Sequence, residues 1–362
     1  MNILYLSRTM DQGGAEKIVY QLAVSSKKQG HNVWVASSGG SYVPLLEEFQ
    51  IEHISIQDLE CKKPAVILQS WGLLKQTIVK KQIDIIHTHH RMAAFYAYFL
   101  KRQFPEIQLV YTAHNVFLNK RWLTSKLLTT SEIVAVGNSV KKNLIEFFGI
   151  PESSIKVIYN AVQPEKIEPQ YYNKELIDLK KERTVLVGMI GRLSEQKGID
   201  IFIQAIKISR HKNPAIRGVI IGDGELREKV EEWIEKSELT HEIVMLGFQR
   251  HIITLISQLD FLVMPSRWEG FPLTPIEAFL VGKTIAASDI DGLNEVVKNN
   301  ESGLLVPKDD VEGFSHAILE LAENSKLREK LEINGKSYYK ENFEFGMFTE
   351  KYQKLYDDMM AN

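Results

Sequence analysis

A single cysteine, Cys61, stands in 362 residues. One thiol cannot make an intrachain disulfide framework, so stability has to come from burial, and the chain suits a reducing compartment. No segment approaches the ~18 consecutive apolar residues of a membrane-spanning helix. The opening run Asn2-Ile-Leu-Tyr-Leu-Ser7 is apolar but short and meets Arg8 at once, which reads as a first strand rather than an export signal. A cytoplasmic protein is therefore expected. No recognised nucleic-acid motif and no basic run interleaved with aromatics accompanies the lysines and arginines, so nucleic acid is not an expected partner.

What is present is the make-up of an ordinary globular protein, with 44% hydrophobic and 25% charged residues. The length suits two domains of usual size. The formal net charge of −2 hides an asymmetry: residues 1–160 hold 18 Lys and Arg against 12 Asp and Glu, while the remainder is acidic. The pairs Lys62-Lys63, Lys80-Lys81 and Lys101-Arg102, and the run Lys120-Arg121-Trp122, supply much of the excess. Such a face can hold a protein against an anionic membrane surface, with tryptophan at the interface; the alternative is scattered, solvated charge.

Apolar strands alternate with helical stretches, as in a doubly wound sheet. Strands are expected at Asn2–Ser7, Asn32–Ser37, Ile83–His87, Gln108–Thr112, Ile133–Val136 and Lys156–Tyr159, with helices including Ala15–Gln29, Pro64–Lys81 and Val140–Phe148. The rhythm breaks over Gln163–Arg183, where two prolines stand among many charges. It restarts with strands at Val185–Ile190, Gly218–Ile221, Glu242–Leu246, Phe261–Met264 and Thr284–Ala287. Helices at Ile199–Ser209, Glu225–Lys236, Pro275–Val281 and Val311–Asn324 alternate with them.

Two segments carry chemistry. In Glu269-Gly-Phe-Pro-Leu-Thr-Pro-Ile-Glu277, two carboxylates flank a Gly/Pro-rich turn that leads into a helix. Thr274-Pro275-Ile276-Glu277 has the capping-box pattern, with Thr274 at N-cap and Glu277 reaching back, so capping alone would explain Glu277. Glu269 has no such role; beside Gly270, where a ligand can come close to the backbone, it marks a place for a polar, phosphate-bearing ligand. In the second segment, the strand run ending at Ile190 breaks into Gly191-Arg-Leu-Ser-Glu-Gln-Lys-Gly198. Arg192 and Lys197 then lie at a strand's carboxyl end, where open α/β sheets bind ligands. Two cations there could neutralise a diphosphate, and solvated surface charge is the bland alternative.

Together these segments resemble the retaining glycosyltransferases of family 4, and the resemblance runs over nearly the whole chain. It takes in Gly13-Gly14-Ala15-Glu16, His87-Thr-His89, Tyr111-Thr-Ala-His114-Asn115, Val157-Ile-Tyr-Asn160, the Gly191-Arg192 and Lys197 loop, Gly222-Asp-Gly224, the Glu269/Glu277 pair and Ser288-Asp-Ile-Asp-Gly-Leu-Asn-Glu295. The resemblance implies an α/β, GT-B architecture of two Rossmann-like domains facing an interdomain cleft. The acceptor-side domain would span residues 1–165, a linker 166–183 and the nucleotide-sugar-binding domain 184–344, with a helix in 345–362 crossing back to the first domain.

The same resemblance implies His114 beside the transferred sugar, with Arg192, Lys197 and Glu269 at the reacting centre. Gly14, Gly222, Gly224, Gly270, Phe271, Pro272, Leu273, Thr274 and Glu277 would contact the donor, and Glu277 its ribose. Glu16 reads as a first-turn helix acid. His87, His89 and His90 near His114 invite a zinc reading, but their spacing fits no structural-zinc pattern and the cysteine is remote, so no metal is expected. Asp289-Ile-Asp291 is literally D-x-D, the metal-diphosphate signature of the other large glycosyltransferase fold, and is read as coincidental; no cofactor is expected. The implied reaction moves a sugar from a nucleotide diphosphate donor, UDP-linked by preference, to a carbohydrate or lipid-linked acceptor in surface-polysaccharide assembly. A nucleotide-sugar epimerase of the same shape, or a catalytically silent partner subunit, are the alternatives.

Overall fold

The structure, a computed structural model, describes residues 1–11, 13–61, 63–180 and 183–361. Lys62 of the basic pairs, residues 181 and 182 of the expected linker, and residue 362 lie outside the described residues. The chain divides into two compact units: one is Met1–Ala161 with the C-terminal helix Phe345–Ala361, the other Val162–Glu344.

The first unit holds a seven-stranded sheet: β1 (Asn2–Leu6), β2 (Asn32–Ser37), β3 (Glu52–Ser55), β4 (Ile85–Thr88), β5 (Gln108–Ala113), β6 (Glu132–Ala135) and β7 (Ile155–Val157). Its order is β3-β2-β1-β4-β5-β6-β7, every pairing parallel. A parallel sheet is covered by helices on both faces, which is why β4 is buried at all four positions instead of alternating. On one side Leu4, Leu6, Ile86 and Leu109 join Leu74 and Ile78 of helix Pro64–Lys81 and Tyr96 and Leu100 of helix Arg91–Gln103 in one cluster. The C-terminal helix buries Phe348, Tyr352, Leu355 and Tyr356 within the same unit.

The second unit holds β8 (Val185–Ile190), β9 (Ile216–Ile221), β10 (Ile243–Gly247), β11 (Phe261–Met264), β12 (Ile285–Ser288) and β13 (Leu304–Val306), ordered β10-β9-β8-β11-β12-β13 and again all parallel. Val187, Met189 and Ile220 pack in one core with Phe202 and Ile206 of helix Ile199–Lys212 and Phe314 and Ile318 of helix Val311–Glu323. The stretch 166–183 carries a helix of its own, Lys174–Leu179, capped by the Asn173 side chain and burying Leu176. Strands β3 and β13 and the helices Arg91–Gln103 and Ser325–Asn342 were not expected from the sequence.

Each sheet reverses its strand order once, between β1 and β4 in the first and between β8 and β11 in the second. The carboxyl ends of the two strands flanking such a reversal diverge into loops on opposite sides, and the crevice between them is where open α/β sheets take their ligands. The segments after β1 and β4 hold Gly13-Gly14 and His89; those after β8 and β11 hold Arg192, Lys197 and Glu269.

Candidate active site

In the second unit the loops after β8 and β11 meet through an ion pair. Lys197 Nζ donates to Glu269 Oε1 at 2.7 Å, with the two side chains only 16% and 7% exposed. Gln196 Nε2 donates to the other carboxylate oxygen at 3.3 Å and to the Trp268 carbonyl at 2.9 Å. Glu269 is thus held from both sides, and Lys197, which has three ammonium protons, keeps donors for a ligand.

Arg267 braces this junction. Its guanidinium grips Asp200 with two hydrogen bonds of 3.1 and 2.7 Å, donates to Asp309 at 2.9 Å and reaches the Glu195 carbonyl at 2.9 Å, while its backbone N–H donates to the Gln196 carbonyl. Gly198 completes the junction: it sits at φ +63°, and a Cβ there would lie 2.1 Å from the Pro265 carbonyl oxygen. The sequence reading missed Gln196, Arg267 and Asp200, because their value depends on contacts across 42 or more positions.

Arg192 is placed differently. It is exposed and pairs with Glu225, not Glu269, at 3.1 Å, with side-chain exposures of 72% and 53%. Gly222 and Gly224 have a packing reason for being glycine. A Cβ on Gly222, at φ +140°, would fall 1.9 Å from the Gly191 carbonyl oxygen, and one on Gly224 2.5 Å from that of Leu193.

Gly270, Phe271, Pro272 and Leu273 are buried and lead into helix Thr274–Leu280, with Thr274 half-buried. The capping box expected there is not formed. Leu273 already has helical geometry (φ −82°, ψ −28°) and occupies the N-cap, which puts Thr274 inside the first turn and leaves no side-chain cap bond. Glu277, the fourth residue of that helix, is a buried carboxylate at 6% exposure. Asp289 and Asp291 are both exposed, and Asp289 accepts from the Asn294 amide at 3.2 Å.

In the first unit, Gly13 is the extended N-cap and Gly14 the first residue of helix Gly14–Lys28, where Glu16 accepts from Thr9 Oγ1 at 3.1 Å. The histidines gather at the ends of β4 and β5. His87 is fully buried: Nδ1 lies 2.7 Å from Tyr356 Oη and Nε2 2.8 Å from Thr112 Oγ1. Thr112 Oγ1 is 3.1 Å from Tyr352 Oη, Tyr356 Oη 3.1 Å from Tyr5 Oη, and Tyr5 Oη 2.8 Å from Ser26 Oγ. A proton order running from Tyr352 through Thr112 to His87 Nε2, and from His87 Nδ1 through Tyr356 and Tyr5 to Ser26, gives each contact one proton. The reverse order does so too, and the two differ only in whether the Ser26 or the Tyr352 hydroxyl ends the chain.

His87 is therefore committed to hydroxyls at both nitrogens. Its ring lies 4.1 Å from that of His89, and His89 Nδ1 is 2.9 Å from His114 Nε2. Burial pushes His87 and His89 well below the usual imidazole range and His114 down to about 4, so all three rings are neutral near pH 7. Among the described residues no group of three or more His, Cys, Asp or Glu side chains is arranged to hold a metal ion.

The basic run after β5 is exposed and mixed with large apolar side chains. Leu118 is 76% and Trp122 74% exposed, beside Lys120, Arg121 and Lys126, whose ammonium lies 5.3 Å from the Trp122 ring centre. No helix among the described residues is long and apolar enough to cross a membrane.

Comparison with known proteins supports the same reading. Residues 12–166 match the family described as Glycosyltransferase Family 4, and residues 174–338 that described as Glycosyl transferases group 1. An uncharacterised glycosyltransferase of Methanocaldococcus jannaschii is 29% identical over 304 residues, 81% of this chain and 80% of that protein. The UDP-Gal:alpha-D-GlcNAc-diphosphoundecaprenol alpha-1,3-galactosyltransferase of Escherichia coli is 28% identical over 321 residues, 83% of each chain. Among solved structures, Anabaena HepE in complex with UDP-glucose has the same fold, with a TM-score of 0.86 at 20% identity over 99% of this chain and 100% of that one. With both halves matched and two parallel α/β units of this topology, the chain belongs to the family 4 glycosyltransferases of GT-B fold.

Proposed function

We propose that this protein transfers a hexose from a UDP-sugar to a saccharide carried on a lipid, retaining the anomeric configuration and using no metal. The observation that carries the proposal is the nearly buried Lys197–Glu269 pair at the switch point of the second sheet. Breaking the sugar–phosphate bond adds negative charge to the leaving diphosphate and leaves positive charge on the ring. Lys197, held in place by Glu269, and Arg192, exposed beside Glu225, would take up the first. Preorganised charge of this kind is worth about 2.7–4 kcal/mol per key donor. Glu269 keeps lone pairs for the sugar hydroxyls, His114 would orient the ring, and Glu277 would hold the ribose. The diphosphate oxygen that leaves is suited to take the acceptor proton on the same face, and no side chain is assigned as base. The E. coli relative, which uses UDP-Gal and a diphosphoundecaprenol acceptor, and the UDP-glucose complex of HepE support the choice of donor and acceptor class.

The test is Glu277→Gln. Exchanging a buried carboxylate for an amide is expected to weaken UDP-sugar binding by about ten- to hundredfold, the scale of one charged hydrogen bond. Unchanged donor affinity with a lower melting temperature would make Glu277 a structural residue.

The exposed Leu118, Trp122, Lys120, Arg121 and Lys126 face suits the cytoplasmic leaflet, where each basic residue near an anionic surface contributes about 1 kcal/mol. Co-sedimentation should be strong with phosphatidylglycerol vesicles, weak with phosphatidylcholine, and lost in Leu118→Ser/Trp122→Ser. Equal sedimentation of the variant would remove this face from membrane contact.

A further inference from the structure

Among the buried side-chain polar atoms of the first unit that show no hydrogen-bond partner is one imidazole nitrogen. His89 is 6% exposed, and its Nε2 is buried without a hydrogen-bond partner among the described residues. His87, whose ring lies 4.1 Å away and tilted by 37°, has both nitrogens bonded to hydroxyls and offers it nothing. Among the described residues the one polar contact of the His89 ring is Nδ1 to His114 Nε2, 2.9 Å apart, with the two rings stacked at 27°.

Two neutral imidazoles in contact share one proton between the facing nitrogens, and there are two ways to arrange it. If His114 Nε2 carries it, the remaining proton of His89 sits on Nε2, as a buried N–H with no acceptor. If His89 Nδ1 carries it, the orphan at Nε2 is only a lone pair. Buried N–H groups without partners are the rarer and costlier defect, and under-satisfied acceptors are better tolerated. The second arrangement wins. His114 then accepts at Nε2 and carries its own proton on Nδ1, the nitrogen that hydrogen-bonds to none of the described residues on this half-buried ring.

We propose that His89 is a positioning residue that locks His114 in the Nδ1–H tautomer, so that His114 meets its ligand as a neutral hydrogen-bond donor and not as a base. The inference rests on the reading that His114 touches the transferred sugar. Under that reading the donor would serve a sugar hydroxyl oxygen. Burial, which keeps both rings uncharged, makes the arrangement independent of pH through the neutral range.

The test is nitrogen-15 NMR of the full chain labelled at histidine, near pH 7, which reports the protonated nitrogen of each ring directly. The expected result is His114 with Nδ1 protonated and Nε2 bare, and His89 likewise protonated on Nδ1. His89→Asn, whose amide can donate from nearly the same place, should preserve the His114 tautomer. His89→Phe should release it to the Nε2–H form or a mixture and lower kcat about tenfold with little change in KM. A wild-type His114 protonated on Nε2 overturns the proposal, and so does a His89→Phe protein in which the tautomer is unmoved. The two readings fail separately. If the tautomer is as stated but His114→Ala transfers sugar at the wild-type rate, the place of His114 at the sugar is lost while its positioning by His89 stands.

Discussion

A Lys197→Ala variant is expected to lose about 3 kcal/mol of stability, the lower end of the ~3–5 kcal/mol for stranding one member of a buried pair. Its turnover should fall by about 10²–10³-fold. The first effect follows from burial: without the ammonium, the Glu269 carboxylate at 7% exposure keeps, among the described residues, the 3.3 Å bond from Gln196. The second follows from the proposed charge on the leaving diphosphate. A double variant separates them. Lys197→Met with Glu269→Gln removes both charges at similar volume, so most of the stability should return while turnover stays low.

Arg192→Ala is the complementary case. Its pair with Glu225 is exposed on both sides and should contribute no more than about 1 kcal/mol, yet turnover should drop on the same scale of about 10²–10³-fold. Denaturation midpoints and kcat for these variants decide the matter. Turnover restored in the double variant, together with a wild-type rate in Arg192→Ala, would take the diphosphate away from both cations.

The first unit is expected to weaken as the pH falls from about 6.5 toward 4. His87, His89 and His114 are all held neutral by burial, their folded pKa values lying below that of a free imidazole. In that window the unfolded chain binds protons that the folded unit refuses. Stability therefore rises with pH, is fully present above about 6.5, and is lost on acidification. For His114, shifted from 6.5 to about 4, the linkage amounts to on the order of 3 kcal/mol. His53 and His90, also lowered by burial, act in the same direction. Hydrogen exchange of the β4 and β5 amides at pH 7.5, 6 and 5 measures this locally, and His114→Asn should flatten the dependence. Protection that stays constant from pH 7.5 to 5 would contradict the burial of these rings.

Much of this arrangement could be read from the chain because its signals are local. The run Val185–Ile190 is apolar enough to be a strand buried on both faces, and the break at Gly191 puts Arg192 and Lys197 beyond its carboxyl end. What could not be read is strand order. Lys197 and Glu269 are 72 positions apart, and only the adjacency of β8 and β11 brings them together. The same holds for His89 and His114, which sit beyond the neighbouring strands β4 and β5.

Thr274-Pro275-Ile276-Glu277 misled for a different reason. The pattern describes a helix that begins at proline, but Leu273 already turns, so the hydroxyl falls one residue too late. Strand β3 escaped notice because it lies at a sheet edge with Glu52 and Ser55 exposed, and β13 because it is only three residues long.

The most direct test of the account is ligand-observed NMR on the purified protein with UDP-, GDP- and ADP-sugars, first in EDTA and then with Mg²⁺. The account predicts binding of a UDP-sugar in EDTA, unchanged by the metal. Binding only after Mg²⁺ is added would bring Asp289 and Asp291 into the site and contradict the metal-free reading, and binding of no donor would contradict the account as a whole.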